Sequence, residues 1–159
     1  MKTYRLRKSI WLAQPRDKIF EFFANPRNLD RLTPAWLKFS ILSPPATAMK
    51  QGTLIDYRLR IRGIPIRWRS EITVWEPPKR FVDRQVQGPY SLWVHEHTFE
   101  EQANGTLVGD SVEYAVPGGP LVRKFMVAPD LERIFRYRQQ ILQELFGSAK
   151  PADVAQSGI

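Results

Sequence analysis

Residues 93–116 read WVHEHTFEEQANGTLVGDSVEYAV, two alternating runs joined at Asn104-Gly105. In an extended chain successive side chains point to opposite faces. Trp93, His95, His97 and Phe99 therefore share one side, and Glu96, Thr98 and Glu100 the other. Asn-Gly tolerates positive φ at both central positions of a two-residue loop, which makes it a strong hairpin signal. A tight turn there puts odd positions of the first run beside even positions of the second, namely Val108, Asp110, Val112 and Tyr114. That face is the richer in aromatic and apolar residues, so it is expected to look inward and to carry His95, His97 and Asp110 with it.

The same period runs upstream. Tyr4, Leu6, Ile10 and Leu12 alternate with Thr3, Arg5, Arg7 and Ser9. Ile55, Tyr57, Leu59 and Ile61 alternate with Asp56, Arg58, Arg60 and Arg62, and past Gly63 an inward set of Ile64, Ile66, Trp68, Ile72 and Val74 is expected. Between the first strand and the rest, PRDKIFEFFANP (15–26) opens on a helix-compatible proline and clusters Ile19, Phe20, Phe22 and Phe23. A second helical turn falls within PRNLDRLTPAW, and WLKFSIL (36–42) reads as a strand running to the breaker Pro44-Pro45. A strand at 80–87 lies before Gly88-Pro89; which of its faces points inward is open. After Pro117-Gly118-Gly119-Pro120, a turn or gate, the period changes: Leu121, Val122, Phe125, Leu131, Ile134, Phe135, Ile141, Leu142 and Leu145 recur at three and four, an amphipathic helix interrupted at Pro129. Strand, two short helices, six strands and a long helix make an α+β arrangement, a curved seven-stranded antiparallel sheet wrapped around its last helix. Space left between the two would be a ligand cavity.

A chain of 159 residues is the size of one domain, placed at residues 1–146, with GSAKPADVAQSGI (147–159) read as a flexible tail. The absence of cysteine excludes disulfides and thiolate chemistry. No apolar run reaches the length of a membrane span, so a cytoplasmic protein is expected. A net charge of +8 raises the question of polyanions. Arg58, Arg60, Arg62, Arg67 and Arg69 form a basic stripe on one hairpin, but no nucleic-acid recognition motif accompanies them, which leaves a solvated face or weak contact with an anionic membrane surface.

WEPPKRFVDRQVQGPYSLWVHEHTFEE (75–101), GTLVGDSVEYAVPGGPL (105–121) and LERIFRYRQQIL (131–142) resemble the START-like helix-grip (SRPBCC) superfamily, and within it bacterial polyketide cyclase/dehydrase-like proteins, over about residues 2–146. The resemblance implies a hydrophobic tunnel that takes a lipid, polyketide or other large apolar molecule. It implies no single reaction, because the fold hosts carriers and enzymes alike. No cofactor is expected.

The residues expected at the cavity are Tyr57, Trp68, Trp93, Phe99 and Tyr114 from the sheet, Asp83 and Gln85 if their face points inward, and Phe125, Ile134 and Arg138 from the helix, with Arg138 able to reach a ligand's anionic end or Asp110. The trio His95, His97 and Asp110 admits three readings: buried polar groups paired with neighbours, an acid-base set that removes a proton beside a carbonyl in a cyclase or dehydratase, and a metal site. Two histidines without cysteine make the last the weakest.

Overall fold

The hairpin that decides the fold is formed by β6 (Leu92–Gln102) and β7 (Gly105–Ala115). Its loop is shifted by one residue from the expected place: Gln102 pairs with Gly105, and the central residues Ala103 and Asn104 both have positive φ, 48° and 61°. Gly105 therefore opens the strand instead of the loop, and the position requires glycine because a Cβ there would lie 2.4 Å from the Leu12 carbonyl and against the Trp11 ring. The shift changes the partner of each residue but keeps odd facing even, so the inward face is as expected. Trp93 pairs with Tyr114, His97 with Asp110 and Phe99 with Val108.

The computed structural model describes residues 1–43 and 48–147. The breaker Pro44-Pro45 and nearly all of the expected tail lie outside them. β1 (Tyr4–Leu12), β2 (Ser40–Ser43), β3 (Leu54–Ile61), β4 (Ile64–Glu76) and β5 (Arg80–Gln87) join β6 and β7 in one sheet of order β1-β7-β6-β5-β4-β3-β2. All neighbouring pairs are antiparallel. Between β1 and β2 come α1 (Arg16–Ala24) and α2 (Leu29–Leu32), and the chain closes through α3 (Gly119–Val122), a π-turn (Arg123–Val127) and α4 (Ala128–Phe146). This is the α+β helix-grip fold: α4 buries Leu131, Phe135, Arg138 and Leu142, a single stripe at spacings of four, three and four.

Four local expectations are corrected. Ile64, expected inward, is 63% exposed beside the β3–β4 turn, where no facing element among the described residues covers it. Ala35–Leu37 is a turn of 3-10 helix rather than strand, so β2 starts only at Ser40. A bulge in β4 between Ile72 and Val74 leaves Thr73 unpaired. It reverses the parity, so Trp75, not Val74, joins the core, packing on Phe20 and Phe81 at 5.2 and 5.4 Å between ring centroids. Phe125, expected beneath the sheet, is 66% exposed. The π-turn adds a residue to one turn of the helix, so the inward stripe resumes at Leu131 and Phe125 is rotated outward. Pro129, which lacks an N–H to donate, follows this widened turn in the first turn of α4.

The core has two parts. One gathers Ile19, Phe20 and Phe23 of α1 with Phe81, Phe99 and Leu142; the other gathers Trp68, Trp93 and Tyr114 with Leu131 and Phe135. The first seals one end of the grip. The second lies where sheet and helix part.

Candidate functional site

Between sheet and α4 lies a chamber of about 190 Å³. Tyr57, Trp68, Trp93 and Tyr90 form its aromatic wall with Leu59 beside them, Phe23 and Leu32 its helical side, and Leu131, Ile134 and Phe135 its floor on α4. An outer chamber of about 460 Å³ adjoins it, shares Leu37, Ile61, Tyr90 and Ile134, and reaches the exposed Trp36, Arg62 and Gly63. The wall is stiffened by ring contacts: Tyr57 stacks on Trp68 at 17°, and Trp68 meets Trp93 edge to face at 90°. Ser70 lies among them, 3% exposed, accepting from Trp68 Nε1 at 3.0 Å and 3.3 Å from the Tyr57 hydroxyl.

One side of this apolar chamber is polar. Phe81 and Asp83 line it, which settles the open parity of β5. Asp83, His95, His97 and Arg138 come from three elements and meet there, with Asp110 behind His95. His97 Nε2 is 2.6 Å from Asp83 Oδ2, and His95 Nε2 is 2.7 Å from Asp110 Oδ1. Arg138 Nη2 lies 3.3 Å from both Asp110 Oδ1 and His97 Nδ1. The rings form a stack, Phe81 on His97 at 4.1 Å and His97 on His95 at 3.7 Å. Each carboxylate–imidazole pair is diagonal across the sheet. In register Asp83 faces His95 and Asp110 faces His97, yet each carboxylate bonds the other imidazole.

Proton positions follow from these partners. Burial alone would raise Asp110, but the Arg138 charge and the His95 hydrogen bond hold its carboxyl well below the usual carboxylate range. Burial opposes ionisation of Asp83 as well, and the His97 hydrogen bond outweighs it, so its pKa is also lowered. Both are carboxylates and only accept, so both histidines donate from Nε2. His97 is then neutral with its Nδ1 lone pair facing Arg138, and both of its nitrogens are engaged. His95 differs. Its Nδ1 has no hydrogen bond among the described residues, the nearest acidic atom being Asp83 Oδ2 at 4.0 Å, and His95 lines the chamber.

His97 is held down to about 4 from 6.5, by burial first and then by the neighbouring His95 and Arg138, with Asp83 opposing. Between pH about 6.5 and about 4 the unfolded chain therefore binds more protons than the folded one, so this contribution is complete above that window and is lost as pH falls through it. The expected loss approaches about 3 kcal/mol. It is read from urea midpoints at pH 7 and pH 4, and His97→Gln, which keeps a donor to Asp83, should flatten the slope. Equal slopes in the two proteins would refute the assignment.

Asp83, His95 and His97 also hold one metal-ligating atom each within 4.8 Å of one another. Asp83, rather than the expected Asp110, would be the third ligand. Imidazole lone pairs lie in the ring plane, and rings stacked at 3.7 Å and 28° do not aim at a common point. With a guanidinium against His97, the set fits a hydrogen-bond relay better than a cation.

Of the other residues expected at the cavity, Tyr57, Trp68, Trp93, Ile134 and Arg138 line it. Gln85 commits both ends of its amide to the Tyr90 backbone, at 2.8 and 3.1 Å, and so positions Tyr90. Phe99 is packed beneath α1 as part of the core, and the Tyr114 hydroxyl accepts from Arg123 Nε at 3.3 Å. Ser70, Tyr90 and Phe135 were missed in the sequence, although Ser70 stands between Trp68 and Ile72 in the inward alternation.

A curved antiparallel sheet gripping a C-terminal helix, with an apolar chamber between them and a polar cluster on its wall, defines a helix-grip protein of the ligand-cavity type. The chain belongs to the polyketide cyclase/dehydrase and lipid transport family, whose model matches residues 12–140. Solved structures agree in fold. The Zhui aromatase/cyclase of Streptomyces sp. R1128 superposes with a TM-score of 0.70 at 15% identity, over 89% of this chain and 92% of that one. Protein CV1439 of Chromobacterium violaceum gives 0.69 at 14%, over 92% and 98%. The major latex-like protein 151 of Panax ginseng gives 0.68 at 14%, over 91% and 97%. Among curated proteins none matches the chain by sequence. No helix among the described residues is long and apolar enough to cross a membrane.

Proposed function

We propose that this protein binds an apolar small molecule or lipid in the two chambers, its polar end turned to Arg138, Asp83 and His95. The observation that carries this reading is the chamber itself, a space of about 190 Å³ walled mostly by apolar and aromatic side chains, with Arg138, Asp83 and His95 together on its polar side. Family membership supports the same class of ligand.

Ile134 belongs to both chambers, so Ile134→Trp should obstruct the passage between them. With anilinonaphthalene sulfonate as fluorescent probe, the wild type is expected to bind and this variant to bind at least about ten-fold more weakly, a loss of about 1.4 kcal/mol. Native mass spectra before and after denaturation should show a co-purifying apolar molecule in the wild type. Unchanged probe affinity in Ile134→Trp, with no co-purifying molecule, would overturn the reading.

A second reading, an enzyme of the cyclase or dehydratase kind, is favoured by the free Nδ1 of His95. An imidazole whose far nitrogen donates to a buried carboxylate is oriented and held in one tautomer, as a general base requires. His95 would take the proton beside a substrate carbonyl, Asp110 would steady the imidazolium, and Arg138 would donate to the enolate oxygen. His97 and Asp83 would position the set.

A further inference from the structure

We infer that the end of the grip where the β3–β4 hairpin meets the α3 and π-turn segment docks on an anionic lipid bilayer, so that the outer chamber opens against the membrane. This goes beyond the cavity reading, since it concerns the outer surface and holds for any cargo. Leu121 is 70% exposed, Phe125 66% and Ile64 63%, an unusual concentration of large apolar side chains in water. Leu121 and Phe125 are four residues apart along one helical path, so they share a face. Ile64 follows the hairpin tip, and that tip is tied to the helical segment: Arg62 donates to Asp130 at 3.1 Å and to the Met126 carbonyl at 3.4 Å. The three apolar tips therefore belong to one end of the molecule.

Charge decides what covers them. Arg58 and Arg67 stand directly opposite each other in register, and neither has an acidic partner among the described residues. Like charges so placed oppose strand pairing. One residue further along each strand from that pair, Tyr57 pairs with Trp68, and on the next rung Arg69 is neutralised by Asp56 at 2.7 Å, so this face carries an acid where the fold alone needs one. Arg60, exposed and without an acidic partner among the described residues, extends the same patch. A second copy of this chain, with its own net charge of +8, would add repulsion. An anionic bilayer supplies both missing components, countercharge for the arginines and an apolar interior for Leu121, Phe125 and Ile64. Continuity supplies the purpose. Arg62, Gly63, Val122 and Val127 of these same segments line the outer chamber, so an apolar molecule passing here would avoid bulk water.

Sedimentation with phosphatidylcholine vesicles, with and without phosphatidylglycerol, tests this. The wild type is expected to bind the phosphatidylglycerol vesicles at low salt and to be released as salt rises. Arg58→Ser/Arg67→Ser should bind about 25-fold more weakly, from about five-fold for each arginine. Leu121→Ser/Phe125→Ser should lose at least about ten-fold. All four positions are exposed, and probe binding in the cavity should be retained by both variants, so failure of this inference and failure of the cavity reading are separable. No binding to phosphatidylglycerol vesicles, or equal binding by all three proteins, overturns it. So does sedimentation velocity showing a wild-type dimer that Leu121→Ser/Phe125→Ser converts to monomer, which assigns the surface to a second copy.

Discussion

With acetylnaphthalene in deuterium oxide, His95→Gln is expected to exchange the ketone's α-hydrogens about 100- to 10,000-fold more slowly than the wild-type protein, the range over which a positioned general base acts. The probe is flat, apolar and enolisable, so it asks for proton abstraction without requiring the natural ligand. In the wild type, His95 Nδ1 takes the α-proton, the electron pair moves to the carbonyl oxygen, and a deuteron returns to carbon after exchange with solvent. His95 is singled out because its Nε2 is committed to Asp110 at 2.7 Å while its Nδ1 makes no hydrogen bond among the described residues. His97→Gln, which removes a positioning group and not the base, should slow exchange far less than His95→Gln does, because both nitrogens of His97 are already engaged, by Asp83 and by Arg138. Exchange read by proton resonance, with probe affinity measured alongside, separates the two functions. Binding without exchange in the wild type, or unchanged exchange in His95→Gln, would sink the catalytic reading and leave the carrier reading standing.

Asp110→Ala is expected to lose about 3–5 kcal/mol of stability at pH 7, read as a fall in the urea midpoint at unchanged slope. Asp110 and Arg138 are 6% and 7% exposed and meet at 3.3 Å. Removing the carboxylate leaves a guanidinium buried against Phe23, whose ring lies 5.1 Å away, and leaves the His95 N–H without an acceptor. Asp110→Ala/Arg138→Met should recover part of the loss, because the uncompensated charge goes with its partner. A loss below about 1 kcal/mol in the single variant would mean that the cluster is wet and its charges screened. The same variant should also misorient His95, so its exchange defect should approach that of His95→Gln.

The grip was legible because its signals are local and repeated. Alternation in β3, β6 and β7 and the three-and-four spacing of Leu131, Phe135, Arg138 and Leu142 each state which side is buried, and the family resemblance pointed the same way. Face parity even survived a misplaced turn, since moving the loop from Asn104-Gly105 to Ala103-Asn104 preserves odd against even. Expectations failed where one residue enters or leaves the count: the bulge after Ile72 exchanged Val74 for Trp75, and the π-turn put Phe125 outside. An inserted residue leaves no mark in composition; its cost and benefit are settled by packing against other elements.

The sequence by itself determined the class of fold, the inward face that carries both histidines and Asp110, and the arginine stripe, because period and hydrophobicity act over neighbouring residues. Tertiary structure alone decided the pairing. Sheet twist sends each imidazole diagonally, His95 to Asp110 and His97 to Asp83, and α4 brings in Arg138 from 28 residues beyond Asp110 to occupy the second nitrogen of His97. Which imidazole keeps a free nitrogen depends on distances of a few tenths of an ångström among three elements, and hydrophobic alternation, which says only in or out, carries no such information.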